Sequence, residues 1–147
     1  DYPEFKIDYV QENESISKHG VFRGMHLQKG VNSQSKLIRV IKGKVIDVVC
    51  DLRKTSPSFK KNIFIELNPN QLLFLPKGLA HGFLSLEEGT ILNYKCDNYY
   101  NLDSESGFNL FKSKVEIDFP LESDEIIMSD KDNSFPDLDN SYIYEYL

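Results

Sequence analysis

Among 147 residues there is no tryptophan, only two cysteines and only three histidines. No apolar run approaches the roughly 20 residues needed to cross a bilayer, so the sequence predicts no membrane association. Nor does it show a signal peptide, and the chain as given opens on Asp1. Cys50 and Cys96 are widely spaced, form no C-x-x-C motif and sit inside apolar runs. That usage predicts two buried free thiols and a reducing, cytoplasmic setting, with a single disulfide as the alternative. Positive charge is also scarce. The net charge is −6, with 14 Lys/Arg against 10 Asp/Glu in residues 1–96 and 3 against 13 in residues 97–147. An acidic second part argues against a nucleic-acid partner, because phosphate backbones need clustered positive charge. The mildly basic first part can still hold a small anion.

What the sequence has in quantity is β-forming residues. Hydrophobic residues make up 40%, with ten Phe and eight Tyr, which suits a folded domain. At this length one domain with a sizeable core is expected, spanning 1–147 with its core at about 9–120 and an acidic tail at 121–147. The stretches "KLIRVI", "KVIDVVCDL", "NIFIEL", "LLFLP", "GFLSL" and "TILNYKC" are short, β-branched or aromatic, and punctuated by Gly, Pro, Asn or Ser. Helical periodicity is not sustained before residue 120. The pattern predicts an all-β sandwich or small barrel. "KGK" at 42–44 reads as a tight hairpin turning on Gly43. In "KVIDVVCDL" the wholly apolar face of Ile46, Val48, Cys50 and Leu52 is expected between the sheets. Asp47, on the other face, is either exposed or lines a polar cavity. The closing "YIYEYL" is apolar enough to dock on the domain or on a partner.

The histidines sort by context. His19, in "SKHG", reads as a surface turn residue. His26 lies in "GVFRGMHLQ", three residues beyond Arg23, and His81 lies in "PKGLAHGF". That second segment has the spacing P-x-G-x-x-H, with Pro76 and Gly78 shaping a turn before His81, and it resembles the second motif of cupins. Cupins that bind metal carry an H-x-H pair and a glutamate in their first motif. Here residue 24 is Gly and residue 28 is Gln, leaving two histidines where a divalent ion needs at least three side-chain ligands. No metal or other cofactor is predicted. His26 is then free to act as a general base, and Arg23 offers a planar fork for phosphate oxygens.

Five segments in order, "GVFRGMHLQ", "QSKLIRVIKGKVIDVVCDLRKTSPSF", "LPKGLAHGFLSL", "NYKCDNYYNLDSESGF" and "MSDKD", resemble the dTDP-4-dehydrorhamnose 3,5-epimerases. These are metal-free cupins of deoxysugar biosynthesis, and the match runs from about residue 9 to residue 132. The resemblance implies a double-stranded β-helix, or jelly-roll barrel, with a short irregular or helical C-terminal tail. It implies His26 as catalytic base, Asp132 as its dyad carboxylate, Tyr94 as proton donor on the opposite face and Lys36 beside the substrate's C4 oxygen. Arg23, Gln11, Asn13, His81, Glu105 and Lys131 match positions that hold the nucleotide-diphosphate sugar, and Tyr100 matches an aromatic stacking on its base. A homodimer is implied as well.

The chain departs from the family at three places. Met25 stands where Leu is common, a change of similar volume, and Asn93 where an apolar residue is usual. The Arg-Gly…Phe…Glu segment with which members usually begin is not in the chain as given, which opens "DYPEFKIDYV". The expectation is an isomerase inverting C3, C5 or both on a nucleotide-linked 4-keto-6-deoxy sugar. The alternatives are a metal-dependent cupin enzyme and a non-catalytic nucleotide-sugar-binding relative.

Overall fold

The computed structural model describes residues 7–146; residues 1–6 of the opening segment and Leu147 of the closing apolar run lie outside the described residues. The strands are β1 (Gln11–Ser17), β2 (Phe22–Gln28), β3 (Lys36–Lys42), β4 (Val45–Asp51), β5 (Asn62–Leu67), β6 (Leu72–Leu75), β7 (Leu79–Ser85), β8 (Thr90–Cys96) and β9 (Glu105–Gly107). They form two sheets of antiparallel pairs, ordered β1-β8-β3-β6 and β5-β4-β7-β2-β9. A short helix, α1 (Asp130–Ser134), follows. This is the cupin-like jelly roll expected from the sequence.

Two apolar clusters hold it together. Ile38, Val40, Leu75 and Leu92 of the four-stranded sheet meet Val45, Val49, Leu67 and Phe83 of the five-stranded sheet, so this cluster fills the space between the sheets. The second cluster joins Phe22, Met25, Leu27, Val48, Cys50, Leu52, Ala80 and Leu84 to Phe108, Leu110, Leu138 and Tyr144 from the C-terminal third. It covers the outer face of the five-stranded sheet. The face of β4 expected between the sheets is therefore the outer one, and Asp47 lies inside. The reversal has a physical reason: the C-terminal chain supplies an apolar blanket, so the wholly apolar face of β4 finds burial outside. The interior is mixed, because it also carries polar groups.

Gly43 does turn the chain, at φ +82°. It does not close a hairpin, however, because β3 and β4 belong to different sheets. The turn is a corner that carries the chain from one layer to the other, and a side chain at Gly43 would strike Thr90. Cys50 and Cys96 are both buried and free. His19 is exposed. Of the closing tyrosines, Tyr144 is buried, its hydroxyl donating to the Gln28 carbonyl, whereas Tyr146 is exposed. No helix among the described residues is long and apolar enough to cross a membrane.

Candidate active site

Arg23 and His26 are three residues apart, and on a regular strand that spacing puts side chains on opposite faces. Here the pairing of β2 with β7 slips between them: Arg23 lies opposite Phe83 and His26 opposite His81. The slip is a bulge, and it turns both side chains to the same, inner side. Gly24 makes it feasible. Its φ is +128°, and a Cβ there would lie 2.5 Å from the Gly82 Cα and 2.8 Å from the His81 carbonyl. Only glycine fits so close an approach of two backbones.

The inner side of the bulge meets α1. His26 Nε2 lies 2.6 Å from Asp132 Oδ1, and the Gly24 backbone N–H donates to Asp132 Oδ2 at 3.2 Å. Asp132 is almost fully buried, while the His26 side chain is 30% exposed. Ser129 caps α1 by accepting from the Asp132 backbone N–H, which fixes the turn that aims the carboxylate. The Phe135 ring meets the imidazole edge-on at 5.9 Å between centroids. Burial alone would raise the Asp132 pKa. The hydrogen bond and charge of His26, the Gly24 N–H and Lys131 outweigh it and hold the carboxyl below its usual range. A carboxylate accepting from Nε2–H leaves the imidazole lone pair on Nδ1.

The four-stranded sheet faces this dyad with Lys36 and Tyr94. Their side chains share its inner face with Ile38 and Leu92. The Lys36 ammonium sits 5.5 Å from the Tyr94 ring centroid. Burial lowers the Lys36 pKa, opposed by Cys96 and Asp47. Burial also raises the Tyr94 pKa, with Cys96 and Glu105 adding to the rise and Arg23 opposing it. Tyr94 thus keeps its proton at neutral pH.

The remaining sequence candidates gather around these four. Arg23 reaches across to β1, its guanidinium donating to Ser17 Oγ at 3.1 Å and to the Ile16 carbonyl at 3.3 Å. Gln11 and Asn13 lie on β1 opposite Cys96 and Tyr94; the Gln11 amide donates to Asn13 Oδ1, and its oxygen accepts from the Tyr100 backbone N–H. Tyr100 itself is exposed, and its hydroxyl pKa is raised by partial desolvation and by the Glu105 carboxylate. Glu105, on β9, pairs with Lys131 at 2.8 Å, beside the dyad. His81 is buried on β7 with its Nε2 2.7 Å from Asp47 Oδ2. The fold thus brings eight of the candidates to the interior or its rim, with Arg23, Tyr100 and Lys131 at the exposed edge.

Sequence reasoning assigned no role to Asp47. The available signal was its register: an acid flanked by Val45 and Val49 on one face of β4. Ser129, Gly24 and Phe135, which hold the dyad, carry no such signal, because their contacts arise only once α1 packs on β2.

Fold and side chains together define the class, a cupin-like jelly-roll enzyme with acidic and basic groups gathered between its sheets. Residues 2–140 match the family model described as dTDP-4-dehydrorhamnose 3,5-epimerase, and the chain belongs to this family of isomerases. It is 39% identical over 142 residues to the dTDP-4-dehydrorhamnose 3,5-epimerase of Methanothermobacter thermautotrophicus, covering 95% of this chain and 76% of the relative. Among solved structures it resembles a dTDP-6-deoxy-D-glucose-3,5-epimerase of Legionella pneumophila in complex with dTDP-4-keto-L-rhamnose. That match has a TM-score of 0.88 and 34% identity, covering 98% of this chain and 78% of that one. It also resembles a 3'-monoepimerase of Streptomyces bikiniensis in complex with dTDP-quinovose, with a TM-score of 0.85 and 30% identity over 93% of this chain and 71% of that one.

Proposed function

We propose that this enzyme epimerises a nucleotide-linked 4-keto-6-deoxy sugar, the dTDP-linked one, at the carbons flanking the ketone. The observation that carries the reading is the His26–Asp132 pair at 2.6 Å on one wall of the interior, facing Lys36 and Tyr94 on the other. Protons at C3 and C5 are acidified by the C4 carbonyl. His26 Nδ1 takes one of them, and the C–H electron pair moves into an enolate on the C4 oxygen. Asp132 supports the imidazolium as it forms. Lys36 stabilises the enolate oxygen, an oxyanion-type contact worth a few kcal/mol. Tyr94 then returns a proton to the opposite face of the carbon, which inverts it, and solvent exchange restores both groups. No electrons are transferred, so the reaction needs no redox cofactor.

Arg23, Gln11, Asn13, His81, Glu105, Lys131 and Tyr100 hold the nucleotide-diphosphate sugar in this reading. Arg23 supplies the fork for the diphosphate, and exposed Tyr100 the stacking surface for the base. The enzyme acts as a homodimer in the cytoplasm. The outer face of the four-stranded sheet supports the dimer, because Ile16, Ile41 and Leu72 are exposed there while the opposite sheet is covered by its own chain. The free thiols support a reducing compartment.

The test is incubation with dTDP-4-keto-6-deoxyglucose in heavy water, followed by NMR. Deuterium at C3 and C5 is expected. Deuterium at one carbon assigns a single-centre epimerase, the activity named for the Streptomyces relative. Tight binding with no incorporation overturns the catalytic reading.

A further inference from the structure

Among the described residues, Asp47 Oδ1 is the one carboxylate oxygen that is buried without a hydrogen-bond partner. Asp47 is fully buried on the inner face of β4, and its other oxygen is pinned by His81 Nε2 at 2.7 Å. Across the interior stands Lys36, whose ammonium, among the described residues, has the Tyr94 ring beside it and no carboxylate within ion-pair distance. A buried carboxylate with one unpartnered oxygen and a half-buried ammonium without an ion-pair partner therefore share one interior. We propose that Asp47, held by His81, is a positioning residue for Lys36: the internal counter-charge that keeps its amine as an ammonium where the enolate forms.

The groups that face Lys36 leave Asp47 alone in this role. On the neighbouring strand β8 they are Tyr94 and Cys96; across the interior they are Asp47 of β4 with His81 of β7, and the His26–Asp132 dyad, whose two carboxylate oxygens are already engaged by His26 Nε2 and the Gly24 N–H. Burial pushes up the pKa of Tyr94 and of Cys96, so both are uncharged near neutrality. Asp97, next along from Cys96, is already paired with Lys77 at 3.3 Å. The flanking residues on β1, Gln11 and Asn13, are neutral. Burial disfavours the ammonium, so without Asp47 the amine loses its proton at lower pH. A neutral amine cannot offset charge on the C4 oxygen. In this role Asp47 acts through Lys36, and the inference rests on the enolate-stabilising role proposed for that lysine.

The experiment titrates the Lys36 amine by NMR in protein labelled with 13C at lysine Cε, with the resonance assigned from Lys36→Met, alongside the pH profile of epimerisation. In Asp47→Asn, which preserves shape and a contact to His81, the Lys36 midpoint is expected at lower pH than in the parent. The alkaline fall of kcat should move with it, costing about tenfold one pH unit above the shifted midpoint and little below it. If Asp47→Asn does not fold, Asp47→Val, matched to Val45 and Val49 on the same face, carries the same expectation. An unchanged Lys36 midpoint in a folded variant overturns the proposal. A shifted midpoint with an unshifted rate profile upholds Asp47 as the counter-charge and contradicts the catalytic role of Lys36.

Discussion

His26 illustrates how a residue acquires its chemistry from its surroundings. Read alone, it admits roles as ligand, base or surface group. With Asp132 on Nε2 and a bulge aiming it inward, the lone pair falls on Nδ1, and the proposed base role rests on that geometry. His26→Ala should therefore lower epimerisation by about 10³-fold, the usual size of a lost general base. Asp132→Asn keeps the shape but loses the charge, so kcat should fall with little change in substrate affinity, measured by calorimetric titration. The residue-level candidates were proposed because their types recur at the family's spacing, and the fold gathers them around one interior. Their partners were less legible. Asp47 announced itself only as an acid flanked by two valines on its face of the strand, and Gly24 only as a glycine between two candidate side chains.

At the level of elements, β3 to β8 fall close to where the sequence put them, because each pairs an apolar inner or outer face with turn residues at its ends. β1 escaped. "QENESIS" has a single large apolar residue, Ile16, and that one is exposed. Its inner residues Gln11 and Asn13 face the polar site rather than the core, so the alternation that marks a strand is missing. The bulge in β2 was equally invisible, since it depends on β7. Gly24→Ala should separate β2 from β7 and cost about 3 kcal/mol or more in thermal unfolding, with activity lost together with the placement of Arg23 and His26.

The end of β4 makes a second prediction at this level. Asp51 is buried, which alone would raise its pKa. The Arg53 guanidinium and backbone N–H, with the Ser56 and Ser58 hydroxyls, outweigh that and hold it well below the usual carboxylate range. Its folded-state pKa lies below the unfolded value of about 3.9. The stabilisation it provides is therefore complete above that pH and is lost as pH falls toward the folded value. Asp51→Asn should cost about 1–3 kcal/mol at pH 7 in denaturant unfolding, and the gap to the parent should narrow as the pH drops below about 4.

At the scale of the molecule, the C-terminal third proves to be part of both the core and the site. Its acidic, irregular composition hides this, because 3-10 turns and extended segments leave no periodic pattern to read. Yet Phe108, Leu110, Leu138 and Tyr144 close the outer face of one sheet, and Asp132 reaches His26 across 106 positions of sequence. Among the described residues the other sheet has no such cover. If that face joins two copies, sedimentation should return twice the 17.0 kDa chain mass, and the double variant Ile41→Glu with Leu72→Glu should sediment as a monomer.

The central claim is that the proton leaves and returns on opposite sides of the sugar, through His26 and Tyr94. It is tested most directly by following Tyr94→Phe with dTDP-4-keto-6-deoxyglucose in heavy water by NMR. The expected result is deuterium at the carbon beside the ketone, with the original configuration retained and inverted product reduced by about 10²-fold or more. Inverted product forming at the parent's rate would contradict the account.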